Sequence, residues 1–507
     1  MDLDRSIGQL FMVDFTGYAP DPEVLRLIED GGVGGVILFV KNVASARQVA
    51  ALTNALQEAA ARAGYPPLLV SADQEGGPVV RLPREATHFP SAMAFGAAGS
   101  EALAASAAGV TARELRAVGI HMNMAPDMDV NNNPDNPVIG IRSFGEDPHR
   151  VARLGSAAVR AMQASGVLAT VKHFPGHGDT SLDSHLDLPV VPHSRAHLDT
   201  VELQPFVAAI RAGVGAVMTA HVVYQALDPD RPATLSPVVL GMLRTHLGFT
   251  GLIVTDSMAM QAITDRHGPG DAAVEAILAG ADIVLACGPI AAQRESIEAV
   301  RRAVDRGRIP ASRIAESVAR VAAAKERLNL GKGATVAVDG VDATVGVRAH
   351  RDVAEHVAEA AVTLVRGGRS AVPLPPGPVS VVAVNGAPPE AADGLAAALR
   401  EAGREADVRS VDAAPGPRTA LVAVLGRCAD LDSGAREAVI RTPATPVAAV
   451  AVDVPYGLAR LPRDVGCVAA YGWDPASLRA AARVLTGSLA PRGRLPVTLD
   501  EPGETRA

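Results

Sequence analysis

The residues best equipped for chemistry crowd into one stretch, Lys172-His173-Phe174-Pro175-Gly176-His177-Gly178-Asp179-Thr180-Ser181-Leu182-Asp183-Ser184-His185. Five of the chain's 13 histidines (His173, His177, His185, His193 and His197) fall between 173 and 197. Pro175, Gly176 and Gly178 bar a regular helix, which predicts a loop whose polar groups are free to converge; the bland alternative is a surface loop with incidental histidines. Asp183 and His185, two positions apart, can form a dyad. The carboxylate would hold one imidazole nitrogen while the other exchanges protons near neutral pH. Lys172 stands at the root of the loop. It is one of only four lysines (Lys41, Lys172, Lys325, Lys332) among 47 basic residues. A compact ammonium bonding several sugar or carboxylate oxygens would explain why Arg was not used there, because Arg's planar fork is not interchangeable with it.

Such groups need elements to position them. Short apolar runs at 10–15, 33–39, 67–73, 120–124, 168–173, 215–221, 251–256 and 281–287 alternate with helical stretches, among them 45–63, 99–117, 147–165, 197–212 and 269–280. Eight strands alternating with helices predict an α/β fold, an N-terminal (β/α)8 TIM barrel, with a doubly wound open sheet as the alternative. Barrel chemistry sits at the C-terminal ends of strands. There the third run delivers Asp73, Gln74 and Glu75, and the fourth leads to Asn123, Asp127 and Asp129. The fifth ends in Lys172 and His173, the sixth in His221, and the seventh in Asp256. Singly, Asp256 also fits a helix cap and His221 a satisfied core histidine; five strands feeding one rim favour a site. A metal-dependent amidohydrolase would use similar ingredients. However, the first strand has no His-x-His pair, and His173 and His177 straddle Pro-Gly rather than sharing a helical face. No metal or other cofactor is therefore expected. Gly31 to Gly35 lead into a strand, unlike a dinucleotide loop.

Three parts are expected: the barrel over 1–332, a linker over 333–349, and a smaller α/β sandwich over 350–507. The last would comprise a helix at 351–366, strands at 379–385, 419–425, 446–453 and 465–471, and a helix at 474–486. It offers no obvious catalytic set; Asp430, Asp432 and Asp453 read as helix caps and loop solvation. A net charge of −8 in 507 residues argues against a nucleic-acid partner. Three scattered cysteines offer no disulfide framework. The acidic start lacks a secretory pattern, and no run approaches the ~18 apolar residues of a spanning helix. The expectation is a soluble, cytoplasmic protein without a membrane partner.

The loop from Lys172 to His185 resembles the signature of the bacterial β-N-acetylglucosaminidases of glycoside hydrolase family three. The likeness extends to Asp73-Gln74-Glu75-Gly76-Gly77 with Arg81, to Asn136 through Phe144, to Val254 through Met260, and more loosely to Gly493 through Thr498. It implies that Asp256 is a nucleophile forming a covalent glycosyl-enzyme. It implies that His185 is the general acid/base, oriented by Asp183. Asp73, Arg81, Arg142, Lys172 and His173 would hold the sugar's hydroxyls and N-acetyl group, while His177 and Asp179 would shape the loop. Gly176 and Gly178 would let the loop swing between half-reactions. The activity implied is retaining exo-hydrolysis of β-linked N-acetylglucosamine from muropeptides or chitooligosaccharides, as in peptidoglycan recycling. The family's phosphorylases supply the alternative, with phosphate replacing water. An imidazole leaves the site less negative than a second carboxylate would, so an anionic acceptor or substrate is repelled less. A broader β-glucosidase and a catalytically silent sugar-binding protein complete the readings.

Overall fold

Eight short, fully buried strands carry the first part of the fold: β1 (Phe11–Val13), β2 (Gly35–Leu38), β3 (Leu69–Ala72), β4 (Met122–Asn123), β5 (Leu168–Phe174), β6 (Ala216–Thr219), β7 (Leu252–Val254) and β8 (Val284–Ala286). Every neighbouring pair is parallel, in the order β7-β6-β5-β4-β3-β2-β1-β8. A bridge between Val254 and Ile283 joins β7 to the approach of β8, with Asp282 N donating to Ile253 O at 2.8 Å, and closes the ring. The computed structural model describes residues 3–367, 371–384, 386–410, 419–427 and 447–499. The predicted TIM barrel is therefore the observed one, its strands falling within the expected runs except β5, which continues one residue further to Phe174.

The interior is filled by side chains that alternate inward, including Met12, Ile37, Leu69, Met122, Leu168, Met218, Leu252 and Leu285. A barrel is thus a packed core, and only its rim is left for chemistry. Helices such as Ala46–Arg62, Glu101–Ala117 and Pro148–Ala164 wrap the outside. Ser45, Ser100 and Asp147 cap them by accepting backbone N–H groups of their first turns.

A second sheet follows: β9 (Thr363–Arg366), β10 (Val379–Val384), β11 (Ala406–Arg409), β12 (Ala420–Leu425), β13 (Val447–Ala451) and β14 (Gly466–Ala469). Its order is β9-β14-β13-β12-β10-β11, parallel except for the β9 edge. The expected helix over 351–366 ends earlier, as Arg348–Ala361. Its last four residues instead form β9, because Thr-Leu-Val suits a pleated edge and pairs with β14. β11 was not expected either; half exposed, it lacks the continuous apolar run of a central strand. Cys428, Asp430 and Asp432, and the expected strand ends Asn385 and Pro446, lie outside the described residues.

The two sheets share packing. Phe89, Phe95, Phe144 and Leu154 from the barrel's helices and loops join Val357, Leu395, Leu478 and Leu485 in one apolar cluster. Buried Glu114 adds polar pinning, accepting from Thr87 N and Oγ1, from Gly346 N, and pairing with His350 Nδ1 at 2.8 Å. Residues 333–349 lie along the barrel, where the Asn54 amide bonds both N and O of Val336 at 2.8 Å. No helix among the described residues is long and apolar enough to cross a membrane.

Candidate active site

A cleft of about 580 Å³ opens at the C-terminal rim of the barrel. Its lining includes Asp73, Arg81, Arg142, Lys172, His173, His185 and Asp256, seven of the eight residues singled out from the sequence. The eighth, Asp183, stands behind His185. Every lining residue comes from positions 37 to 285, so the second sheet contributes none of them. It does brace the rim. Asn131 Nδ2 donates to Tyr456 Oη at 3.0 Å, and Arg427 Nη1 donates to Pro137 O, both in the segment leading to the turn that carries Arg142.

The floor is a buried ion network. Lys172, its side chain 3% exposed, places Nζ 2.7 Å from Asp73 Oδ1 and 2.7 Å from Glu75 Oε1. A point charge bridges two separate carboxylates well, whereas Arg142 meets Glu75 as a fork, with Nε and Nη2 each at 2.9 Å. The scarcity of lysine thus has a geometric answer at position 172. Burial would raise the Glu75 carboxyl, but Arg142 and Lys172 hold it far below the ordinary carboxylate range. Burial alone would lower Lys172; Asp73 and Glu75 reverse that and hold its ammonium upward.

His173 is held from behind, its Nδ1 2.6 Å from Asp129 Oδ2 and its Nε2 3.4 Å from Arg142 Nη2. Asp129 Oδ1 also accepts the backbone N–H groups of His173 (3.1 Å) and His177 (2.7 Å). Against the upward push of burial, His173 and His177 hold Asp129 down to about 2. Its neighbour Asp127 goes the opposite way, pushed well up by burial and then by the charge of Asp129. The sequence places Glu75 and Asp129 at the rim but assigns them no role. The signal that would have assigned them is electrostatic: a buried lysine and arginine at one rim require buried carboxylates.

Asp256 sits just past the end of β7, its Oδ1 accepting the N–H of Ser257 at 2.7 Å. Burial raises this carboxyl, but His221, His173, the Ser257 N–H and Lys172 outweigh it, leaving the group below its ordinary range. It is therefore an anion at neutral pH, facing the cleft. His221 is the buried, satisfied histidine of the blander reading. Its Nδ1 is 2.8 Å from Thr234 Oγ1, and its Nε2 donates to Ser257 O at 3.0 Å.

The opposite lip is exposed. His185, its side chain 60% accessible, directs Nδ1 to Asp183 Oδ1 at 2.8 Å, and its backbone N–H meets the same oxygen at 2.8 Å. With Nδ1 engaged, Nε2 is the nitrogen left for proton exchange at the cleft. Burial raises Asp183, but the N–H groups of His185 dominate and keep it below the carboxylate norm. The loop's root is fixed. His177 Nδ1 meets Thr180 Oγ1 at 2.8 Å, its Nε2 meets Ser184 Oγ at 2.9 Å, and Asn136 Nδ2 donates to His177 O and Gly178 O. A Cβ on Gly178 would fall 1.7 Å from Val130 O, and one on Gly176 would fall 2.7 Å from the Cβ of Glu202. These glycines permit close packing. Ser181, Leu182, His185 and Leu186 after them are exposed.

A three-stranded patch, Val190–Val191, Val223–Tyr224 and Asp228–Pro232, ties the far end of this loop to the barrel. Strands of two residues, or rich in Pro and Asp, leave no periodic trace in sequence.

Comparison with known proteins agrees with this fold. The glycosyl hydrolase family 3 N terminal domain pattern matches residues 2–324. Beta-hexosaminidase A of Pseudoalteromonas piscicida is 38% identical over 404 residues, 71% of this chain and 67% of that protein. A beta-hexosaminidase of Xylella fastidiosa (strain M23) is 36% identical over 286 residues, 55% of this chain and 84% of that protein. The structure of a glycoside hydrolase family 3 beta-N-acetylglucosaminidase from Paenibacillus sp. str. FPU-7 superposes with a TM-score of 0.92 at 40% identity, covering 98% of this chain and 99% of that one. With its barrel and its sequence in agreement, the chain belongs to glycoside hydrolase family 3.

Proposed function

We propose that the protein is a retaining exo-β-N-acetylglucosaminidase working through a glycosyl-aspartate. The observation that carries this reading is that Asp256 and His185, the latter held at Nδ1 by Asp183, face one cleft. Retaining hydrolysis needs a nucleophile below the anomeric carbon and a proton donor beside the leaving oxygen. Asp256 attacks carbon as the bond to the leaving oxygen breaks, and His185 Nε2 gives that oxygen its proton. Water then enters, His185 takes its proton back, and the Asp256 ester is released. Asp183, held as an anion, is a positioning residue that stabilises the imidazolium. Asp73, Arg81, Arg142, Lys172 and His173 bind the sugar. The Nε of Arg81 is buried and donates to no protein group, which suits it to a ligand oxygen.

Muropeptides and chitooligosaccharides are the substrates this reading favours, since an imidazole acid and the cations of the floor tolerate acidic aglycones. The cytoplasm is its proposed location; Cys287 and Cys467 are both free thiols, as suits a reducing compartment. A slow fluorinated glycoside should label Asp256, read by mass spectrometry of the digested protein. Label on another residue would overturn the assignment. An aryl N-acetylglucosaminide should turn over faster than the aryl glucoside and give free sugar, at a rate indifferent to phosphate. Acceleration by phosphate with release of a sugar-1-phosphate would replace hydrolysis by phosphorolysis.

A further inference from the structure

Two of the five clustered histidines, His193 and His197, have no part in the proposed reaction. They lie four residues apart around the short helix Arg195–Thr200, with Ser194 as its cap. Their rings stack with centroids 4.1 Å apart. His193 Nε2 is 2.6 Å from Asp179 Oδ2, and His197 Nε2 is 3.4 Å from Glu202 Oε1. One donor atom from each of these four residues lies within 4.8 Å of every other. Glu202 is the telling member. Its side chain is only 2% exposed, and neither carboxylate oxygen accepts a hydrogen bond. The buried Nε2 of His197 is likewise without one. An acid buried without donors is costly unless a cation completes it, and burial accordingly holds Glu202 above the ordinary carboxylate range.

We propose that Asp179, His193, His197 and Glu202 form a binding site for a divalent transition-metal ion of the zinc type, separate from the catalytic cleft. Two imidazoles and two carboxylates are a donor set for zinc rather than for magnesium or calcium, which prefer oxygen alone. Donors around a tetrahedral zinc stand about 3.3 Å apart. The pair at 2.6 Å therefore opens and the wider pairs close by an ångström or so, adjustments within reach of side-chain rotation.

The site's position gives it a consequence. Asp179 precedes the segment bearing Asp183 and His185, and His193 follows it. Bound metal would join both ends of that segment to Glu202, which is packed against the loop root at Gly176. The ion is then a clasp on the loop, not a participant in bond cleavage. The inference rests on this geometry and stands independently of the substrate.

The test uses the full-length protein freed of metal by chelator and dialysis, then titrated with Zn2+ or Co2+ alone. Wild type should bind one equivalent of Zn2+ and melt at a higher temperature with it. Co2+ should give the visible bands of a low-coordinate nitrogen–oxygen site. Glu202→Gln, nearly isosteric, should weaken binding more than about 100-fold, since losing even an outer-shell partner of a metal costs 10–100-fold. Asp179→Asn provides a second variant should that one fold poorly. His185→Ala should keep the equivalent and its spectrum. Loss of zinc in His185→Ala with retention in both other variants would overturn the proposal, as would a wild type that binds no equivalent.

Discussion

The two walls of the cleft are built on opposite principles. The floor, with Lys172, Glu75, Arg142, Asp129 and His173, is buried, paired and carried on strand ends of the barrel and the turns that follow them. The lip, with Asp183 and His185, is exposed and carried on a loop. A group that holds a sugar in one pose benefits from rigidity, since misplacement costs rate. A group that must first give and then take a proton needs water and room. With the proposed roles, the difference between the walls separates holding from proton transfer in space, the one buried and paired, the other exposed.

Substitutions should divide along the same line. The largest effect is expected for Asp256→Ala, a loss of at least about 10⁴-fold in kcat, because without the nucleophile no covalent step remains. A near-normal kcat there would break the account at its root. Next comes His185→Ala on the lip, with kcat down about 10²–10⁴-fold, KM little changed and the melting temperature unmoved. Glu75→Ala on the floor should do the reverse. It leaves Lys172 and Arg142 buried beside one another, costs roughly 3–5 kcal/mol of stability, and raises KM. A Glu75→Ala protein that melts like wild type would show that the floor is not the rigid wall described. Asp183→Asn should cost about 10- to 100-fold in kcat, the worth of one hydrogen bond to a charged group, again without a stability penalty.

The smallest effect concerns pH. Burial first, then His173, lowers the folded pKa of His177 to about 4, against about 6.5 when unfolded. The unfolded chain thus binds more protons below neutrality. This contribution is present in full above about pH 6.5 and drains away as pH falls toward 4. Thermal melts at pH 7 and pH 5 should show a drop in wild type that shrinks in His177→Gln. An equal drop in both would remove His177 as the anchor of the loop's root.

How much of this was legible in the sequence follows from where each signal resides. The barrel was readable because apolar runs and helical periods are local, and because the rim rule turns strand ends into a list of candidates. Asp256, Lys172 and His173 emerged that way. Asp183 and His185 emerged from spacing. Glu75 and Asp129 did not, because their roles are fixed by partners on other strands and no local pattern records a contact across the barrel. The small sheet beneath the loop was hidden for a similar reason, its strands being too short to show a period. Gly176 and Gly178 read as a hinge in the sequence because glycine marks both flexibility and close approach. Only the positions of Val130 and Glu202 distinguish them.

The division between a holding floor and a proton-transferring lip is tested most directly by one series. It measures kcat/KM of wild type and His185→Ala on aryl N-acetylglucosaminides whose phenols span a wide range of acidity. If His185 protonates the leaving oxygen, the variant should approach wild type for the most acidic phenols and fall progressively behind as the phenol becomes a poorer leaving group. A loss of the same size across the whole series would contradict the account, placing His185 among the residues that hold the sugar.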